Sequence, residues 1–248
     1  MTCDAFADAW APFFGMFFKC WPDCPYKVYL CGESITFDHP RVLNISAGKG
    51  KEWSARLLVA LDQIPDEYLL FMLEDYVLLR RVDTDRIERQ LDTLIESGAA
   101  YLRLIPAPAP DEPLPGYRGV GIIKPGSPYR NSTQAALWRK ESLMNLLDPS
   151  ENIWDFELVG VERTKSFKEP FLSVEPDAKN SPAESGDYPL VYYSTAISRG
   201  KWMRDAVAMI REAGFDVDLT KRPQETIIEN RKRLLQLKYP KLVRRRRG

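Results

Sequence analysis

The chain has 248 residues, 44% hydrophobic and 28% charged, with 35 Lys+Arg against 35 Asp+Glu. That composition excludes wholesale disorder, and the length suits one α/β domain of roughly 200–250 residues. No stretch approaches the ~18 apolar residues of a membrane-crossing helix. Asp4 and Asp8 interrupt the start where a secretory leader would be continuous, so the expected location is cytoplasmic.

Large apolar side chains recur at Phe6, Trp10, Phe13, Phe14, Phe17, Phe18 and Trp21. That spacing predicts a helix over residues 4–21 with a wide buried face. Residues 21–25 (WPDCP) break it, and short strands follow at 26–30 and 42–45. Trp53, Leu57, Leu58 and Leu61 predict a helix over 52–61. Residues 68–73 (YLLFML) are a continuous apolar run, the pattern of a strand buried on both faces. Ile87, Leu91, Leu94 and Ile95 predict an amphipathic helix over 83–97, and residues 101–105 the next buried strand.

Residues 106–128 hold seven prolines and four glycines and read as a long loop. A helix is expected over 133–147, a polar loop over 162–190, a strand over 191–196 and a helix over 200–213. A basic helix is expected from 224. The alternation predicts an α/β fold of Rossmann-like type, with a mostly parallel central sheet flanked by helices. Ligands of such sheets bind beyond the carboxyl ends of the strands.

The four cysteines (Cys3, Cys20, Cys24, Cys31) lie in the first 31 residues, and their spacing matches no zinc site. In a cytoplasmic chain they are expected as reduced thiols. His39 is the only histidine, in a turn-like Asp-His-Pro context, which leaves little room for Ser-His-Asp chemistry.

The zero net charge is divided by position. Residues 221–248 carry eleven Lys+Arg and two acids, a net +9, so the remainder carries −9. Two parts are therefore expected: a domain over 1–220 and a basic helix or tail over 221–248. Such a tail suits docking on an anionic membrane surface. Nucleic acid is not an expected partner, because the body has no basic face with interleaved aromatics.

The most informative string is Leu69 to Tyr76 (LLFMLEDY), an apolar strand that stops at two adjacent acids. Buried unpaired carboxylates are costly, so a cation, a donor group or water must meet them. A divalent metal with a diphosphate is one answer; a solvated loop is the other. Arg103, ending a buried strand, suits either a ligand contact or a buried ion pair. Arg130 suits either a phosphate or sugar contact or a loop brace. Gln134 and Trp138, four apart on the expected helix, suit an acceptor wall of amide and ring, or a core tryptophan. Lys201, after Gly200 at the expected helix start, is a candidate donor-phosphate contact.

The string Phe71 to Tyr76 (FMLEDY), followed by Val82-Asp83 and a helix, resembles the acidic motif of GT-A-type glycosyltransferases. More closely, the chain resembles a group of bacterial glycosyltransferase-like proteins found with surface polysaccharide synthesis. The similar strings include Thr2-Cys3-Asp4, Trp10 to Phe14 (WAPFF), Trp21 to Tyr26 (WPDCPY), Trp53 to Leu57 (WSARL), Tyr101 to Leu104 (YLRL), Tyr129-Arg130, Gln134 to Arg139 (QAALWR), Trp154 to Glu157 (WDFE) and Gly200 to Trp202 (GKW). They extend to about residue 205.

The resemblance implies sugar transfer from a nucleotide-sugar donor to a glycan or lipid-linked acceptor. Thr2, Cys3 and Asp4 match the nucleotide turn, with Asp4 toward base or ribose. Glu74 and Asp75 match the motif that holds the metal and the donor diphosphate, and Glu157 the general base, with Asp155 as its neighbouring alternative. The lipid-linked acceptor and the basic tail together imply a peripheral place on the inner membrane. Two positions depart from the family pattern. Tyr76 stands where a third carboxylate is usual, which weakens the need for Mn2+ or Mg2+. The strand that leads into the nucleotide turn is not found before Thr2, so the sheet is expected either to lack its first strand or to start upstream. These departures support a rival reading, a catalytically inactive GT-A-like module that binds a glycan or a protein. A nucleotidyl or phosphoryl transferase is a third, more distant reading, without the Gly-rich phosphate loop it would call for.

Overall fold

The computed structural model describes residues 1–176 and 187–238, with side chains to residue 235. A short 3-10 turn over Asp4–Phe6 leads into α1 (Ala7–Cys20), which buries Trp10, Phe14 and Phe17. Strands β1 (Val28–Gly32) and β2 (Val42–Ser46) pair in parallel. Helix α2 (Trp53–Gln63) precedes β3 (Tyr68–Phe71) and the short β4 (Val77–Leu78). Helix α3 (Thr84–Glu96) starts where Asp83 accepts the Arg86 amide, an N-cap that satisfies one of the helix's orphan donors.

Then come β5 (Tyr101–Arg103), β6 (Glu112–Pro113), β7 (Val120–Ile122) and β8 (Ala136–Arg139). Helices α4 (Lys140–Leu146), α5 (Ile153–Leu158) and α6 (Gly160–Thr164) precede β9 (Phe171–Val174). The described chain closes with β10 (Tyr192–Tyr193), β11 (Ile197–Ser198), β12 (Lys201–Trp202), α7 (Arg204–Glu212) and α8 (Ile227–Lys238).

The main sheet has six strands in the order β3-β8-β5-β9-β7-β6. Alternate residues serve its two faces, as strand geometry requires. Leu102, Leu137 and Leu172 enter one core with Ile87 and Leu94 of α3. Tyr101, Trp138 and Phe171 enter the other with Trp53, Leu57 and Phe156 of α2 and α5. The fold is thus α/β, a central sheet between helices.

Strand direction differs from expectation. Within the main sheet only β5 and β9 run parallel; the other four pairings are antiparallel. Two of these four pairings come from residues 136–139, expected as helix. Ala136, Leu137, Trp138 and Arg139 instead form β8, wedged antiparallel between β3 and β5, and the helix begins only at Lys140. Their helical spacing of apolar groups is overruled by backbone pairing on both sides. The expected loop over 162–190 begins inside α6 and contains β9, and that over 106–128 contains the β6–β7 hairpin.

Residues after 220 begin by stitching onto the body. Arg222 is buried, donating to both carboxylate oxygens of Asp8 at 2.8 and 3.0 Å and to the Ala5 carbonyl at 2.6 Å. Arg233 of α8 pairs with Glu225 and Asp205. The arginine run Arg244 to Arg247 lies outside the described residues. Among the described residues, no helix is long and apolar enough to cross a membrane.

Candidate active site

Glu74 and Asp75 follow β3 at its carboxyl end, both half-buried. The Asp75 carbonyl accepts the Ala196 amide at 3.0 Å, which anchors the turn from behind. No ion pair reaches either carboxylate among the described residues, although Glu74 accepts from the Thr2 hydroxyl. Burial first, and the neighbouring Glu74 charge second, push Asp75 up to about 8. Burial likewise raises Glu74, partly offset by the positive amino group of Met1 and by Thr2. Two adjacent acids withdrawn from water and held in no ion pair among the described residues favour whatever positive charge or proton comes to them.

The turn at Thr2 and Cys3 lies against this pair. Thr2 is buried, donates its amide to the Cys31 carbonyl at 2.9 Å and accepts the Trp10 indole N–H at 2.9 Å. The Cys3 thiol is pushed up by burial and then by the Glu74 charge. Arg56, from α2, donates to the Thr2 carbonyl at 3.1 Å and pairs with Glu33 at 3.1 Å.

Glu157, on α5, is brought toward the same end of the sheet. Its Oε1 accepts the amide and the hydroxyl of Thr133 at 2.7 and 2.8 Å. Thr133 also meets the Tyr76 hydroxyl, and the charges of both Asp75 and Glu157 bear on that phenol. Burial raises Tyr76 far above the usual tyrosine range. Its ring stacks on Tyr192 at 4.7 Å. The Tyr192 hydroxyl accepts the Ala135 amide at 3.0 Å and donates to Gln134 Oε1 at 2.5 Å. A polar row thus runs from Asp75 through Tyr76 and Thr133 to Glu157, with Gln134 beside it.

Other predicted residues are engaged by the scaffold. Both oxygens of Asp4 are taken by the amides of Ser34 and Ile35, the Ser34 hydroxyl and Lys49, which holds its carboxyl well below the usual range. Asp155 accepts Asn152 Nδ2 at 2.6 Å in the first turn of α5. Arg103 is fully buried and donates to the carbonyls of Tyr129 and Pro108, pinning the loop after β5. Arg130 is buried too, donating to Ile123 and Thr164 carbonyls and lying 4.4 Å over the Phe171 ring. Arg103 thus bonds carbonyls where a ligand contact or a buried ion pair was expected, and Arg130 forms the loop brace, through carbonyls.

Trp138 is 1% exposed, packed on Tyr101 at 4.4 Å, so the acceptor wall is corrected to a core tryptophan. Lys201 sits in β12, not at a helix start, and its Nζ pairs with Glu229 at 2.6 Å. The helix N–H donors invoked for it belong to α7, three residues on.

Sequence reasoning missed Thr133, Tyr192, Arg56 and Glu33. The signal for Arg56 was a charge on the apolar face of α2; the others are joined only in space. As for a cation, no group of three or more His, Cys, Asp or Glu side chains among the described residues is placed to hold a metal ion. Tyr76 is turned to Tyr192 and Thr133, which leaves Glu74 and Asp75 as the acidic pair at this end of the sheet.

No family model matches the chain, and no curated protein matches it. A solved structure of a UDP-glucose pyrophosphorylase complexed with UDP-glucose is similar at a TM-score of 0.40 and 10% identity, over 69% of this chain. The likeness spans 64% of that chain, short of two thirds of its length.

Proposed function

We propose that the chain binds a nucleotide sugar at the carboxyl end of β3 and transfers its sugar to a hydroxyl of a glycan or lipid-linked acceptor, as in surface polysaccharide synthesis. The reading is supported chiefly by the half-buried Glu74–Asp75 pair, free of ion pairs among the described residues and set against the Thr2–Cys3 turn. The donor diphosphate would approach this pair with a divalent cation, Mn2+ or Mg2+, between them. Glu74 and Asp75 would supply two oxygen ligands, and the remaining coordination would come from phosphate and water. Such an ion would neutralise the leaving diphosphate.

In the transfer, the acceptor oxygen forms a bond to the anomeric carbon as the bond from that carbon to the diphosphate oxygen breaks. Glu157 takes the hydroxyl proton. The two Thr133 bonds hold Oε1 in place and leave Oε2 for that proton.

Thermal stabilisation by a panel of nucleoside diphosphates, with and without Mn2+ or Mg2+, tests the donor site. A rise in Tm lost in Glu74→Ala or Asp75→Ala is the expected result. No rise with any of them favours the second reading, a catalytically inactive module that binds a glycan or a protein. That reading draws on Glu157 Oε1 already accepting two hydrogen bonds from Thr133, which tie this oxygen to the scaffold.

A further inference from the structure

Five of the six tryptophans are core residues. Trp10, Trp21, Trp53, Trp138 and Trp202 each sit in a hydrophobic cluster, none more than 8% exposed. Trp154 stands apart: it is 68% exposed and lies in no hydrophobic cluster of the described residues. Leu158, one helical turn further along α5, is 62% exposed. A single apolar side chain in water is ordinary, but an indole and a leucine at i and i+4 make a continuous apolar strip.

The turn of α5 sets where that strip lies. At about 3.6 residues per turn, Ile153 and Phe156 share the face that packs into the core with Trp53 and Trp138. Glu157 comes next, at the edge of that face. Trp154 and Leu158 follow round the helix on the Glu157 side, farther from the core. Asp155 lies on the opposite flank and accepts from Asn152.

The edge held by Glu157 is the one that meets Thr133 and, through it, Tyr76. The apolar strip therefore continues outward from the polar row that runs from Asp75 to Glu157, with Gln134 beside it. Glu157 Oε1 is taken by Thr133, which leaves Oε2 on this edge. A carboxylate oxygen and a bare indole thus share one side of a short helix.

A pyranose sugar asks for that combination. Its hydroxyls need acceptors and donors, while its C–H groups form an apolar face that covers an aromatic ring. We propose that Trp154 is a carbohydrate platform: a pyranose of the acceptor glycan stacks its C–H face on the indole, Leu158 extends the wall, and a hydroxyl of the same glycan reaches Glu157 Oε2. The aromatic part of the acceptor site then belongs to α5 and not to β8, where Trp138 is buried. Trp154 touches no reacting atom and acts by holding the acceptor. The inference rests on the sugar-transfer reading for the role of the bound glycan.

Iodide quenching of tryptophan fluorescence tests it, because burial shields the other five indoles and the signal reports Trp154. Pyranose oligosaccharides of glucose, galactose, mannose and N-acetylglucosamine are titrated into the full chain at millimolar concentration. At least one is expected to shield the indole from iodide. By calorimetry the same sugar is expected to bind Trp154→Ala about 10-fold more weakly than the parent, and Trp154→Phe, which keeps a ring, within about 3-fold of it. No shielding by any of the sugars, or equal affinity of Trp154→Ala and the parent, overturns the proposal. The quenching arm uses the unaltered chain and does not depend on the variants folding. An indole already shielded in the free chain when it self-associates makes a second copy the occupant and also overturns it. Nucleoside diphosphates with Mn2+, added to the same protein, separate the platform from the donor site. A rise in Tm without sugar shielding removes the platform and keeps the donor site. Sugar shielding without a rise in Tm keeps the platform, in a chain that binds a glycan and does not transfer to it.

Discussion

Glu157 and Thr133, 24 residues apart, are joined twice: Oε1 of the glutamate accepts both the amide and the hydroxyl of the threonine. This fixes α5 against the segment entering β8 and sets a carboxylate near Tyr76 and Asp75. Glu157→Gln keeps an acceptor oxygen for these bonds and removes the base. Nucleotide binding is expected to persist while transfer falls by about 10²–10⁴-fold. Turnover in a radioactive sugar-transfer assay retained at the original level would remove Glu157 from the mechanism.

Asp75 yields a pH prediction. Its folded value of about 8 lies above the usual 3.8. The folded protein therefore keeps a proton that the unfolded chain releases, so stability falls as pH rises from about 4 to about 8. Glu74, also raised, acts in the same direction. Asp75→Asn is expected to flatten the decline in Tm over that window and to leave the variant more stable than the parent at pH 8. Calorimetry across the window checks it; parallel curves would contradict the assignment.

The Arg222–Asp8 pair is nearly buried on both sides, at 10% and 6% exposure, and lies over the Phe6 ring. Removing one partner strands the other's charge, so Asp8→Ala is expected to cost about 3–5 kcal/mol. The double variant Asp8→Leu with Arg222→Met should recover much of it. Urea midpoints of the two variants against the parent chain check both expectations.

The basic residues of 239–248 bear on localisation. Their deletion is expected to weaken binding to vesicles containing phosphatidylserine by about 1 kcal/mol per basic residue near the surface. Binding unaltered in a sedimentation assay at low salt would exclude docking by this segment.

Helices α2 and α3 were legible because their apolar residues repeat at 3–4 spacing. The Glu74–Asp75 pair was legible because a run of apolar residues ends there abruptly. Its closeness to Thr2 and Cys3 is a product of the fold. Arg103, Arg130 and Trp138 were conspicuous for the right physical reason, the oddity of a charge or a large ring in that setting. Their partners, backbone carbonyls and an aromatic core, are remote in sequence, so the side chosen could not be read locally.

By itself, then, the amino-acid order determined the α/β class, the helices with strong periodicity and the acidic end of β3, because these follow from local spacing and solvation. Only tertiary structure decided the direction of the strands, the strand state of residues 136–139 and the row from Asp75 to Glu157. Each depends on which backbone edge or side chain lies opposite, and that is settled by pairing across the fold. The even charge balance is likewise resolved in space. Part of the basic end is spent inside the fold, with Arg222 on Asp8 and Arg233 on Glu225 and Asp205.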